Sequence, residues 1–254
     1  MIQLYQFYFS HYCEKARWAL DYKKLPYAPR NLLPGLHVKP ALKLAPQTCL
    51  PILVDGDTTV QDSTAIIDFL DRKYPHHPLT PADPAQAKEA LAWEEYLDEE
   101  IGVTMRLWVY YRLLPDRERA IRFMLGGAPW YGRLVLGLMF PKLRERMTQL
   151  LGINVESARQ SEERLLAALE KLDEALADRR FLAGERFSRA DLTACALLEP
   201  YCRPGESDAQ AARILPEYVL KLRDSHKTRR YFAWVREIYA EHRHPSRAES
   251  NVAA

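Results

Sequence analysis

In the stretch LYQFYFSHYCEKARWAL, Ser10 and Cys13 stand three residues apart where an apolar run ends and a helical pattern begins. A serine at a helix N-terminus can cap a backbone N–H. It can equally donate a hydrogen bond to an anion that the helix dipole also favours. A bound thiol fits the second role: free thiols titrate near pH ~8.5, and the thiolate is the nucleophile. Lowering that pKa by roughly two units takes about 2.7 kcal/mol of thiolate stabilisation, so a neutral hydroxyl and the dipole would have to act together. Ser-x-x-Cys is also what a thiol-disulfide exchange motif becomes when serine replaces its attacking cysteine. Cys13 falls on the apolar helix face, where cysteine usually behaves as a small hydrophobe.

The elements that must hold these residues alternate between strand and helix over the first eighty residues, the pattern of an α/β domain. IQLYQFYF suits a central strand. In the helix that follows, Cys13, Ala16, Ala19 and Leu20 share one face, while Glu14, Lys15 and Arg17 lie elsewhere on it. PYAPRNLL reads as a second strand, parallel to the first through a right-handed crossover. LPILVDGDTTVQ is a hairpin signature with Asp55-Gly56 at its turn, and DSTAIIDFLDRKY closes the unit as a helix. The order β-α-β, then β-β-α, is that of a thioredoxin-like domain. Pro75 to Pro84, rich in proline, reads as the linker.

The remainder reads as helical. Leu165, Leu169, Leu172 and Leu176 recur at helical spacing. FSRADL carries a capping box from Ser188 and Asp191, with Phe187 and Leu192 as a hydrophobic staple. The segment from Phe123 to Pro141 is the most membrane-like, but Arg133, Pro129 and four glycines interrupt it. It is read as a buried or ligand-lining element, and membrane association is disfavoured. At 254 residues with 48% hydrophobic content the chain suits two domains, and a formal charge of +2 gives little field to hold nucleic acid. Cys13, Cys49, Cys195 and Cys202 show no paired spacing and no basic, apolar leader precedes the first strand, so free thiols in a reducing cytoplasm are expected. No His or acid stands at metal-ligand spacing from Cys195 and Cys202, and no metal is expected.

With these motifs in place the chain resembles the soluble glutathione transferases over nearly its whole length. LYQFYFSHYC looks like the serine-type segment of theta-like members, LPIL like the segment with the cis-proline, and VQDSTAI like the family's acidic-Ser-x-Ala-Ile motif. The resemblance implies an α/β thioredoxin-like N-terminal domain, residues 1–75, a linker, 76–84, and an all-α C-terminal domain, 85–254, lining a hydrophobic substrate pocket. It implies glutathione as co-substrate, no metal, a homodimer, and Ser10 as the catalytic hydroxyl that prepares the thiolate for attack on a small hydrophobic electrophile. Ser63 would take the γ-glutamyl carboxylate and Asp62 the ammonium. Leu50, before the cis Pro51, would pair with the cysteinyl backbone, and PGLHVK assigns the glycine carboxylate to His37, with Lys39 nearby. Cys49 departs from the Lys or Gln often found there. Some classes use a strand tyrosine, which makes Tyr5, Tyr8 and Tyr12 the lesser option. Trp108, Tyr111 and Arg112 are candidate pocket residues, with the 123–141 segment as a flap. The alternatives are a non-catalytic protein of the same fold that binds glutathione or an apolar ligand, and a thiol oxidoreductase or prostaglandin-synthase-type isomerase using Cys13.

Overall fold

The computed structural model describes residues 1–203 and 207–244. Its first part runs β1 (Ile2–Gln6), α1 (His11–Tyr22), β2 (Tyr27–Asn31), α2 (Val38–Leu44), β3 (Ile52–Asp55), β4 (Thr58–Gln61) and α3 (Ser63–Lys73). The strands form one sheet in the order β2-β1-β3-β4, with β1 and β2 parallel and β3 antiparallel to both β1 and β4. Gly56 at φ 63° makes the β3–β4 turn, a conformation that costs glycine little. This is the expected thioredoxin-like α/β domain.

The second part is helical: α4 (Pro84–Leu97), a π-helical segment (Asp98–Val103), α5 (Thr104–Leu113), α6 (Arg117–Met124), α7 (Gly132–Leu150), α8 (Val155–Ala175), α9 (Arg189–Cys202), α10 (Asp208–Ala212), α11 (Glu217–His226) and α12 (Arg230–His242). After the linker, α4 continues into α5 through one stretch of wider, i→i+5 winding. The capping box of α9 is present: Asp191 accepts from the Ser188 backbone N–H at 2.9 Å and also from Leu182 N–H at 2.7 Å. The leucine stripe of α8 is buried against the core, as are Cys195 and Cys202.

Glu14, Lys15 and Arg17, off the apolar face of α1, are buried as well, because α1 packs against both α3 and α9. Their charges are met by residues distant in sequence. Lys15 Nζ lies 2.7 Å from both Glu94 and Asp98, and Arg17 pairs with Glu14 at 2.6 Å. Glu14 and Asp21 also hold Arg243, beyond the end of α12.

Candidate active site

Ser10 closes the turn that leaves β1. Its backbone N–H donates to Phe7 O at 3.1 Å, and its Oγ accepts from Cys13 N–H at 3.4 Å as the N-cap of α1. That cap bond is long for an N–H donor. The hydroxyl lines a cavity of about 480 Å³, within the usual range for small-molecule sites. Cys13 does not line it. The thiol is fully buried beneath Ser10, and burial raises its pKa in spite of Arg17 and the Ser10 hydroxyl, which leaves it protonated and shielded.

Leu50 forms the rim opposite, and the Leu50-Pro51 peptide is cis. Gln61 Nε2 fixes this loop by donating to Gln47 O at 2.9 Å and Cys49 O at 2.8 Å. Asp62 N–H donates to Pro51 O at 3.2 Å, so the rim is tied to the start of α3. Asp62 itself sits at φ 91°, a left-handed conformation that costs a non-glycine residue about 1–3 kcal/mol. Its Oδ1 offsets part of that by capping α3, accepting from Thr64 N–H at 2.9 Å and Ala65 N–H at 3.1 Å. Ser63 follows as the first residue of the helix, where backbone N–H groups and the dipole suit a carboxylate.

Asp62 and Ser63 line a second depression, which abuts the cavity of Ser10 along Tyr12, Cys49, Leu50 and Arg106. Its other walls carry Glu95, Asp98 and Glu99. One Asp98 oxygen is held by Lys15 and Thr64, while Oδ1 is buried with no partner among the described residues. These acids suit an ammonium. The structure thus brings Ser10, Leu50, Pro51, Asp62 and Ser63 around one cleft.

His37 lines the Ser10 cavity from the loop before α2. Its Nδ1 accepts from Gly35 N–H at 3.1 Å, which places the ring proton on Nε2, and burial lowers its pKa so that it is neutral near pH 7. His37 can therefore offer a carboxylate a hydrogen bond, not a full charge. Lys39 is exposed and does not line the cavity. Tyr12, one of the tyrosine candidates, has its hydroxyl committed to Asp98 O at 2.9 Å.

The helical wall differs from expectation. Trp108 is buried in the core, and Arg112 is bound to Glu162 at 2.5 Å; neither of them, nor Tyr111, lines the cavity. The cavity face of α5 is instead Met105, Arg106, Val109 and Tyr110. The helix is apolar and aromatic on every side, so periodicity alone does not select the face. Burial lifts the Tyr110 hydroxyl to about 12, so it donates at neutral pH. From the 123–141 segment, Phe123 and Met139 line the cavity, while Trp130, Leu134 and Leu138 are exposed.

His11 was not singled out by its sequence context, although it directly follows Ser10. It lines the cavity, is almost fully buried, and has no partner for Nε2 among the described residues. Burial, with help from nearby Arg106, holds its pKa down at about 3, so the ring is neutral. Among the described residues no cluster suits a metal ion, and no helix is long and apolar enough to cross a membrane.

Comparison with known proteins gives matches at both ends of the chain. Residues 4–81 match the glutathione S-transferase N-terminal domain and residues 152–210 the glutathione S-transferase C-terminal domain. Glutathione S-transferase 1 of Dianthus caryophyllus is 33% identical over 150 residues, covering 51% of this chain and 68% of that one. A zeta class glutathione S-transferase of Euphorbia esula is 42% identical over 85 residues, which is 32% of this chain; the match spans only 38% of that relative's length. In overall fold the chain resembles a glutathione S-transferase of Methylobacillus flagellatus KT solved with glutathione bound. That match has a TM-score of 0.63 and 17% identity, and covers 100% of this chain and 99% of the other.

Proposed function

Since the chain belongs to the glutathione S-transferase family, we propose that it is a glutathione transferase in which Ser10 donates its hydroxyl hydrogen bond to the glutathione sulfur. The observation that carries this is the single cleft shared by Ser10, the cis Leu50-Pro51 rim and the Asp62–Ser63 helix start. Glutathione laid along it places its γ-glutamyl carboxylate on Ser63 and its ammonium among the acids beside Asp62. Its cysteinyl backbone pairs with Leu50 as an added strand does. The glycine carboxylate reaches the Nε2–H of His37.

The sulfur then lies over Ser10, at the N-terminus of α1. The thiol loses its proton to solvent, and the thiolate is held by the hydroxyl and the helix dipole together. It attacks an electrophile seated against the apolar wall of Met105, Val109 and Phe123. Residues 1–75 act as the glutathione domain and 85–254 supply the electrophile wall. The protein works as a cytoplasmic homodimer. The redox alternative loses ground because Cys13, its required nucleophile, is buried off the cleft.

The test is ultraviolet difference titration of bound glutathione against pH, in wild type and Ser10→Ala. The thiol is expected to ionise roughly two pH units below its free value in wild type and near the free value in the variant. Glutathione that binds with an unshifted thiol pKa in wild type would replace the transferase reading with a binding role.

A further inference from the structure

The two ends of the cleft have opposite electrical character. Asp62, Glu94, Glu95, Asp98 and Glu99 line the end beside Ser63, whereas the cavity beyond Ser10 has no Asp or Glu and carries Lys142 and Arg146, with Arg106 on the border the two share. The chain as a whole carries a formal charge of only +2, so this grouping is local. Arg106 is the most informative of the three cations. Six residues further along α5, Arg112 is bound to Glu162 and lies over the Trp108 and Tyr218 rings. Arg106 is half-buried too, yet it has no ion pair or hydrogen bond among the described residues, and its ring contact is Tyr12 at 5.9 Å. A guanidinium that has lost part of its hydration, with the acids of the neighbouring depression outside ion-pair distance, can take an incoming anion.

Arg106 also stands where an anion on a substrate would matter. It lies against Tyr12 and near His11, the two residues that follow Ser10. Lys142 and Arg146 project from α7 at the solvent side, one turn apart. Between the cations the walls are Met105, Val109, Phe123, Leu143 and Met147. Cations set in an apolar cavity match a molecule with an apolar body and one anionic group.

We propose that the electrophile this cavity takes carries a carboxylate, which Arg106 holds beside the glutathione sulfur while Lys142 and Arg146 draw the molecule in from solvent. The word electrophile rests on the transferase reading above; the anion preference does not.

Two aryl chlorides of the same shape provide the test: 4-chloro-3,5-dinitrobenzoate and the corresponding benzamide. In each, the glutathione sulfur forms a bond to the ring carbon bearing chlorine, chloride leaves with the bonding pair, and the thiol proton passes to solvent. Each kcat/KM is divided by the uncatalysed rate with glutathione. The normalised ratio, carboxylate over amide, is expected to be tenfold or more in wild type, to fall to about three in R106Q, mainly through KM, and to stay above the R106Q value in R106K. For K142Q/R146Q it should fall about threefold, and that part should vanish at high salt. A wild-type ratio near one, or a ratio that R106Q leaves unchanged, overturns the proposal; the second result would make Arg106 a support for the thiolate. Calorimetric titration of the glutathione-loaded protein with octanoate and with 1-octanol separates the two readings. If neither chloride is turned over but octanoate binds at least tenfold more tightly than octanol, and R106Q lowers that preference, the transferase reading falls and the anion cavity stands. Equal binding of octanoate and octanol overturns the anion cavity.

Discussion

The seam around α1 and the far wall of the cleft treat charge in opposite ways. In the seam, Lys15, Glu94 and Arg189 are buried and ion-paired, and Glu14, Arg17 and Arg243 form a second paired group. In the cleft wall, Arg106 has no ion-pair partner among the described residues, and it lines the cavity with two further cations, Lys142 and Arg146. Buried ion pairs contribute little net stability over well-packed apolar residues, but losing one member is costly. The seam charges tie the α/β part to the helical part, since Lys15 of α1 meets Glu94 and Asp98 while Arg189 of α9 meets Asp68 of α3. Arg106, Lys142 and Arg146 make no ion pair among the described residues, as the proposed anion site requires.

Breaking the seam should produce the largest effect. Arg189→Met leaves Asp68 without its guanidinium and Glu94 with Lys15 as its one remaining cation and the Thr64 hydroxyl as a donor, a loss of about 3–5 kcal/mol in urea unfolding. Neutralising the wall in Lys142→Gln/Arg146→Gln should move the same measurement by less than about 0.5 kcal/mol. Similar losses for the two variants would erase the distinction.

Acid should find the seam before it finds the wall. Burial pushes the Glu14 carboxyl upward, but Arg243 and Arg17 outweigh it and hold the pKa at about 2, below the ordinary 4.5. A carboxyl depressed in the folded state contributes stability that is complete above its unfolded value. That contribution is lost as pH falls from about 4.5 toward about 2. The expected loss is roughly 3 kcal/mol, taken from the shift at 1.36 kcal/mol per unit. Unfolding free energies of wild type and Glu14→Gln, compared from pH 6 to pH 2.5, should converge as pH falls. Parallel curves would show that Glu14 does not carry the acid sensitivity.

What the sequence disclosed was local chemistry. The Asp55-Gly56 turn, the Ser188 and Asp191 capping box and the Asp62–Ser63 helix start each depend on neighbours within a few residues, and each stands where expected. The surroundings of α1 were hidden because the partners of Lys15 are Thr64, Glu94 and Asp98, and no short-range pattern ties those positions together. Periodicity set Glu14, Lys15 and Arg17 off the apolar face of α1 but carries nothing about what covers the rest of that helix. The cavity side of α5 was hidden for the opposite reason: with Trp108, Tyr110 and Tyr111 on different sides, the helix offers no polar face to exclude. His11 was overlooked because one histidine beside a capping serine carries no spacing signal.

The smallest expected effect bears most directly on Ser10, whose two roles can be weighed separately. As a cap, its bond to Cys13 N–H is 3.4 Å long, so Ser10→Ala should cost about 0.5 kcal/mol, the low end for such substitutions. Glycine at an N-cap is only a few tenths of a kcal/mol worse than serine, so Ser10→Gly should be nearly as stable as wild type. Both variants keep the N-terminus of α1 and its dipole, and both lack the hydroxyl. If Ser10→Gly retains wild-type stability while bound glutathione titrates as free thiol, the hydroxyl does the chemistry and the cap is incidental. If Ser10→Gly still depresses the thiol pKa, the helix end alone suffices, and the serine belongs with the paired charges of the seam as a structural element.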